Sequence, residues 1–382
     1  MKAIYLDNNA TTPCANEVIE AMLPFFGHGY GNSESPHLMG RQASKAVALA
    51  REHVADLLGC AAADVIFTSG ATESNNIVFL GLLAQQTQRR AVAVSAVEHK
   101  SVLAPCDYLE TAGISIERIP VTPAGTIMLE VLRTAVNSET CLVSVQAANN
   151  ETGVVQPVQD AAAISHSSGA LFHCDASQAV GKIPVSVIDL NADFVSVSAH
   201  KLYGPKGCGA LYVANAEAGK IVRPLLFGGG QEEGIRPGTL NVPAIVGFGE
   251  ACRIAAARLK DDIDSISALR HRLEWDILSR VPGARVNGLH ARRLPNTTSI
   301  TIPAISADLL IANVLEVCFS NGSACTSGSL SPSHVLLAMG LSREESQDTI
   351  RLSLGRQNTP EEIDEAASLI VKAAHSLRGL AE

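Results

Sequence analysis

Ser196-Val197-Ser198-Ala199-His200-Lys201-Leu202-Tyr203-Gly204-Pro205-Lys206 decides how this chain is read. The residues leading into it, Asp193-Phe194-Val195-Ser196-Val197, form an apolar β-type run that Gly-Pro brings to a stop, which suits a buried strand. Lys201 therefore stands at a strand end among a serine and a histidine. That is how a Schiff-base lysine is usually presented. A surface lysine in a loop would read the same way in isolation, so the rest of the chain has to decide.

The polar residues that follow other apolar runs decide it. Strands over 91–97, 114–119, 141–147 and 170–174 alternate with helical spacing, which points to an α/β fold. Several lead directly into polar groups: Glu98-His99, Asn149-Asn150-Glu151, Asp175-Ala176-Ser177-Gln178, and Ser198 with His200 and Lys201. Ligands of open α/β sheets bind just past the carboxyl ends of strands. Repeated placement of this kind is hard to explain as packing.

A further strand over 65–68 turns through Ser69-Gly70-Ala71-Thr72-Glu73-Ser74-Asn75-Asn76 into a helix. Strand, small-residue turn and helix point free backbone N–H groups at an anion, with the helix dipole helping, and a phosphate is the natural guest. An ordinary N-cap built from Ser69 or Thr72 would look the same locally.

Composition sets the outer limits. With 382 residues the chain can hold two domains and a large core. Hydrophobic residues make up 47 % and charged residues 18 %, as in a globular enzyme, while aromatics at 4 % leave packing to Ala, Val, Leu and Ile. A net charge of −9 disfavours direct nucleic-acid binding, which needs a basic surface. No apolar run is long enough for a bilayer. The opening Met1-Lys2-Ala3-Ile4-Tyr5-Leu6-Asp7 turns polar too soon for a signal peptide, so a cytoplasmic protein with no membrane contact is expected.

The nine cysteines are odd in number and include no CxxC pair, which disfavours disulfides and structural zinc. Most read as small buried hydrophobes in a reducing compartment. Cys325 differs. It sits inside Gly322-Ser323-Ala324-Cys325-Thr326-Ser327-Gly328-Ser329, whose composition predicts a mobile loop and an accessible, reactive thiol.

Near the start, Tyr5-Leu6-Asp7-Asn8-Asn9-Ala10-Thr11-Thr12-Pro13 reads as a short strand and a polar turn. Helices are expected over 15–26 and 39–58, the second closed by Gly59, with a loop between them. The glycine-rich Gly228-Gly229-Gly230-Gln231-Glu232-Glu233-Gly234-Ile235-Arg236-Pro237-Gly238-Thr239 does not spell a dinucleotide fingerprint. A long helical stretch from 244 towards 281 links two domains. The last hundred or so residues read as a smaller α/β unit with strands near 299–302 and 350–354.

A lysine, an acid, a histidine, an anion-binding turn and a mobile cysteine together suggest pyridoxal 5′-phosphate. In the motifs quoted above, and in Arg351-Leu352-Ser353-Leu354-Gly355-Arg356, the chain resembles the NifS/IscS-like cysteine desulfurases of the class V aminotransferase family over nearly its whole length. The resemblance implies a fold type I pyridoxal-phosphate enzyme. Its large domain, 15–257, would hold a mixed, mostly parallel seven-stranded sheet. A small α/β domain, 258–382, would have segment 1–14 packed on it and carry the mobile cysteine loop 320–333.

It also implies roles. Lys201 would hold the cofactor covalently and move the substrate's Cα proton, Asp175 would face the ring nitrogen, and His99 would stack on the ring. Asn150 and Gln178 would bond the phenolic oxygen, while Ala71, Thr72, Ser198 and His200 would hold the phosphate. Thr239 would reach the phosphate of the other subunit of a homodimer, and Asn32 and Arg351 would bind the substrate carboxylate. Cys325 would take sulfur from L-cysteine as a persulfide, for an acceptor such as an iron–sulfur scaffold protein or a thiolation pathway, DNA phosphorothioation included. No resident metal site is expected. A selenocysteine lyase or another lyase or aminotransferase on the same fold is the alternative. The chain departs from the family pattern at Ser33-Glu34-Ser35, Glu233 and Pro237.

Overall fold

The computed structural model of the protein describes residues 3–82, 89–214, 222–321 and 332–379. Its larger sheet has seven strands, named in chain order: β1 (Val65–Thr68), β2 (Ala91–Ser95), β3 (Ser115–Ile119), β4 (Thr140–Ser144), β5 (Leu171–Asp175), β6 (Phe194–Ser198) and β7 (Gly209–Val213). Across the sheet they run β1-β7-β6-β5-β4-β2-β3, with β7 antiparallel to both neighbours and the remaining pairs parallel. The sheet is thus mixed and mostly parallel.

Every residue of β4 and β6 is buried, as expected where helices cover both faces of parallel strands. Alternate side chains enter opposite cores. Val143, Phe172, Val195 and Val197 join one, while Leu142, Phe194, Val92 and Leu211 join the other. Each such side chain contributes about 1.5–3 kcal/mol on burial.

The sequence reading finds six of these strands and misses β7. Its opening glycine reads as a loop. In the fold that glycine is required, because a Cβ there would lie 2.5 Å from the Val197 carbonyl oxygen and 2.6 Å from the Gly70 Cα. The other boundaries shift by a few residues at most; the helix expected over 15–26, for example, is Asn16–Met22 followed by a 3₁₀ turn, Leu23–Phe26.

A second, four-stranded antiparallel sheet orders Ser320–Asn321, Thr349–Ser353, Thr297–Thr301 and Arg285–Val286. The N-terminal strand Ile4–Tyr5 pairs in parallel with Val317–Cys318, and Leu6 is buried with Leu273, Ile300, Leu352 and Ile363. One helix, Val242–Arg280, serves both cores. It buries Phe248, Ala251 and Cys252 in the first and Ile266, Leu273 and Ile277 in the second. Sharing a rigid rod about 58 Å long ties the two packed units together.

Candidate active site

The strand ends of the large sheet open into a cleft of about 580 Å³. Ala71, Thr72, His99, Asn150, Asp175, Gln178, Ser198, His200, Lys201 and Arg351 all line it. Asn32 does not line the cleft, and neither does Thr239, which is expected at the other subunit's site and not at this one. Asn32 is exposed and its Oδ1 accepts from the Glu34 N–H at 3.0 Å; Thr239 is exposed beside Gly238, whose N–H donates to Gln231 Oε1 at 2.9 Å. Cys325 and most of the expected loop 320–333 lie outside the described residues.

Lys201 ends a single 3₁₀ turn, Ala199–Lys201, that directly follows β6. Its Nζ donates to the carbonyl oxygens of Asn9 at 2.6 Å and Ala10 at 2.8 Å. Two further hydrogen bonds hold the N-terminal segment in place: Thr12 N–H donates to the His200 carbonyl at 2.9 Å, and Gln178 Nε2 donates to the Asn9 carbonyl at 3.0 Å. Burial, and then the cations Lys201, Lys206 and Lys182, push the His200 imidazole down to about 4. It is therefore neutral at neutral pH.

Asp175 closes β5 with both carboxylate oxygens engaged. Oδ1 accepts from Ser177 N–H at 3.0 Å and Oδ2 from Asn75 Nδ2 at 2.9 Å. The same Asn75 amide donates to Ser101 Oγ at 2.8 Å, and that hydroxyl lies 2.7 Å from His99 Nδ1. Because Ser101 N–H also donates to Nδ1 at 3.1 Å, that nitrogen acts as an acceptor and a neutral ring carries its proton on Nε2. Burial lowers the His99 pKa, with Asp175 opposing, so the ring stays neutral. Beside it, fully buried Glu98 is driven well above the usual carboxylate range by burial and then by Asp175.

The turn after β1 leads into helix Ala71–Asn76, and no side chain caps its start. Gly70 adopts φ +147°, a conformation open to glycine, and a Cβ there would sit 3.6 Å from Ser198 Oγ. The first N–H groups of the helix are left for a ligand, and Ser198 and His200 stand opposite in the same cleft.

Arg351 comes from strand Thr349–Ser353 and is 1 % exposed. Nη2 pairs with Asp7 Oδ1 at 2.7 Å, Nη1 reaches the Asn150 carbonyl at 3.4 Å, and Nε is a buried donor without a partner among the described residues. An incoming carboxylate would satisfy it.

An uncapped helix start, an acid held at the floor, a neutral imidazole and a lysine amine around one cleft fit pyridoxal 5′-phosphate. Sequence reasoning missed the groups that hold these in place: Asp7, Asn9, Asn75 and Ser101. One signal for Asn75 was available, since it follows Thr72 by one helical turn and shares its face.

The family described as Aminotransferase class-V matches residues 4–366. A cysteine desulfurase of Trichormus azollae is 44 % identical over 382 residues, which is 100 % of this chain and 95 % of the relative. Among solved structures, a NifS-like protein superposes with a TM-score of 0.90 at 38 % identity, covering 97 % of this chain and 98 % of its own. SspA in complex with cysteine superposes with a TM-score of 0.81 at 35 % identity, covering 92 % and 98 %.

Proposed function

Because the chain belongs to the class-V aminotransferase family and, within it, to the cysteine desulfurases, we propose that it takes the sulfur of L-cysteine onto Cys325 and releases L-alanine. The observation that carries the residue assignments is that one cleft holds the Lys201 amine, the Asp175 carboxylate and the buried Arg351 guanidinium. Pyridoxal 5′-phosphate is the family's cofactor; bound here, it supplies an aldehyde for the substrate amine and a ring that draws electrons from Cα.

The residues around it divide the work. Lys201 holds the cofactor until substrate arrives, then carries the Cα proton. Asp175 keeps the ring nitrogen protonated, and the hydrogen bonds from Ser177 and Asn75 prevent its carboxylate from turning away. His99 lies against the ring, its orientation held by Ser101. Asn150 and Gln178 reach the phenolic oxygen, and Ala71, Thr72, Ser198 and His200 hold the phosphate. Arg351 receives the substrate carboxylate. Cys325 attacks the substrate sulfur: the carbon–sulfur bond breaks, a sulfur–sulfur bond forms, and the alanine carbon takes up a proton. A thiol with an ordinary pKa of about 8.5 is only slightly ionised at neutral pH, so a base must take its proton on approach.

The assembly is a homodimer in which Thr239 meets the other subunit's phosphate. Leu226 and Phe227, 62 % and 88 % exposed on the segment that leads to Thr239, support this, because large apolar side chains at a surface mark a contact. The persulfide passes to a sulfur-acceptor or iron–sulfur scaffold protein in the cytoplasm. The net charge of −9 supports delivery to a protein and not directly to nucleic acid. Among the described residues no helix is long and apolar enough to cross a membrane.

The test is to supply the full chain and pyridoxal 5′-phosphate with L-cysteine or L-selenocysteine and quantify alanine. Turnover with L-cysteine that disappears in Cys325→Ser is expected. Turnover restricted to L-selenocysteine and indifferent to Cys325→Ser would overturn the reading in favour of a selenocysteine lyase.

A further inference from the structure

The turn that carries Lys201 closes on a strained residue. Just past Ala199–Lys201 the backbone enters the left-handed region at Tyr203, φ +65°, and Gly204 N–H returns to the Ala199 carbonyl at 3.0 Å. Helical turns commonly close with this bond, and the left-handed residue is then usually glycine, which has no Cβ to strain. Here the glycine stands one position later and a tyrosine takes the strained place. The second bond of such an ending would join Tyr203 N–H to the His200 carbonyl. The Thr12 hydroxyl comes between them, accepting from Tyr203 N–H at 2.8 Å and donating to the His200 carbonyl at 3.0 Å.

A bulky residue in that region persists only where its surroundings over-determine it. They do so here. The Tyr203 carbonyl accepts from Ala15 N–H at 3.0 Å, and its hydroxyl accepts from Arg356 N–H at 2.8 Å. The Arg356 guanidinium lies over the ring, 4.3 Å from its centroid, and its Nε donates to Asp262 Oδ2 at 2.5 Å. Asp262 belongs to the long helix Val242–Arg280, so the clamp on Tyr203 is anchored in the rod that both cores share. Neither Tyr203 nor Arg356 lines the cleft. What they do for the reaction has to pass through the backbone to Lys201, two residues away.

We propose that Tyr203 is a positioning residue for the reaction: Arg356 and Thr12 hold it in the left-handed conformation, and the turn so closed presents the Lys201 amine to the cleft. The inference rests on the reading of Lys201 as the cofactor lysine. Thr12 grips the chain on both sides of Lys201, at the His200 carbonyl and at Tyr203 N–H, while the Asn9 and Ala10 carbonyls of the same segment accept from Nζ. Without the ring and hydroxyl, residue 203 keeps only its two main-chain bonds, and the aim of the lysine is no longer fixed. This also gives a use to Arg356, the last residue of the Arg351–Arg356 motif, which the substrate cleft leaves unexplained.

The test compares covalent with non-covalent capture. The full-length chain, freed of cofactor, is mixed with pyridoxal 5′-phosphate, trapped with borohydride at timed intervals, and the Lys201 peptide is quantified by mass. Pyridoxamine 5′-phosphate, which has the same ring and phosphate but no aldehyde, is titrated against the same proteins. Tyr203→Gly accepts the left-handed backbone but removes the ring and hydroxyl that enforce it. It is expected to slow covalent uptake about tenfold and to leave the affinity for pyridoxamine 5′-phosphate within about twofold of the parent chain. Uptake at the parent rate overturns the proposal. So does an equal loss of both, which would make Tyr203 a general support of the cleft. If Tyr203→Gly does not fold, Tyr203→Phe decides: it keeps the ring and loses the hydroxyl's bond, so uptake should slow about 2- to 12-fold, and an unchanged rate overturns the proposal. Covalent uptake of the cofactor by Lys201→Ala would instead sink the assignment of Lys201, and so separates the two failures.

Discussion

The two walls of the cleft are built in different ways. One is the carboxyl edge of the large sheet, where Ser198, His200 and Lys201 follow β6 and Asp175 closes β5. Each functional group there lies within a few residues of the strand that positions it. The other wall combines the segment from Asp7 to Thr12 with Arg351, joined by an ion pair at 2.7 Å between residues 344 positions apart. The first wall supplies a carboxylate, an amine, an imidazole and a hydroxyl; the second supplies main-chain carbonyls and a guanidinium. The proposed function implies a division of labour, in which the sheet edge would do the chemistry and the far wall would hold the substrate.

Substitutions with opposite kinetic signatures test that division. Asp175→Asn removes the charge proposed to face the ring nitrogen but keeps its shape, and is expected to retain cofactor while lowering kcat by on the order of 10²–10³-fold. Arg351→Lys keeps a charge and loses the planar fork. Losing a charged hydrogen bond costs about 1.5–3 kcal/mol, so KM for L-cysteine should rise roughly 10- to 150-fold with kcat less affected. Steady-state kinetics of the two variants decide the matter. A KM effect in Asp175→Asn and a pure kcat effect in Arg351→Lys would break the comparison.

The first wall was legible in the sequence because strand ends announce themselves locally, through an apolar run followed by polar residues. The second was not. Only the family resemblance points to Arg351, and the sequence gives no role to its partner Asp7, since nothing in either neighbourhood signals a contact across the chain. Asn9 stayed hidden for the same reason: its role depends on which groups converge on it after folding. β7 escaped because its glycine start, demanded by the close approach of Gly70, reads as a loop.

The smallest effect concerns the flank of the Cys325 segment. Glu151 is buried and accepts from the Ser333 hydroxyl; burial raises its carboxyl to about 7, with the Ser333 hydrogen bond, Arg351 and Lys100 opposing. A raised acid pKa means that the folded chain binds the proton more tightly than the unfolded chain. Its contribution to stability is therefore complete below about 4.5 and is lost as pH rises to about 7. The loss is about 3 kcal/mol at most across that window. Thermal melts at several pH values should show Glu151→Gln losing less stability than the parent chain between those limits. Equal pH dependence in both would mean that Glu151 is ionised in the fold.

The destination of the sulfur decides most directly whether Cys325 is the nucleophile. After a single turnover with L-cysteine in the absence of added thiol, the fragment between Arg293 and Arg343, which contains both Cys318 and Cys325, can be isolated and sequenced by mass. The expected result is one additional sulfur atom on Cys325, in an amount equal to the alanine released. An additional sulfur on Cys318, or alanine with no sulfur gained by the fragment, would contradict it.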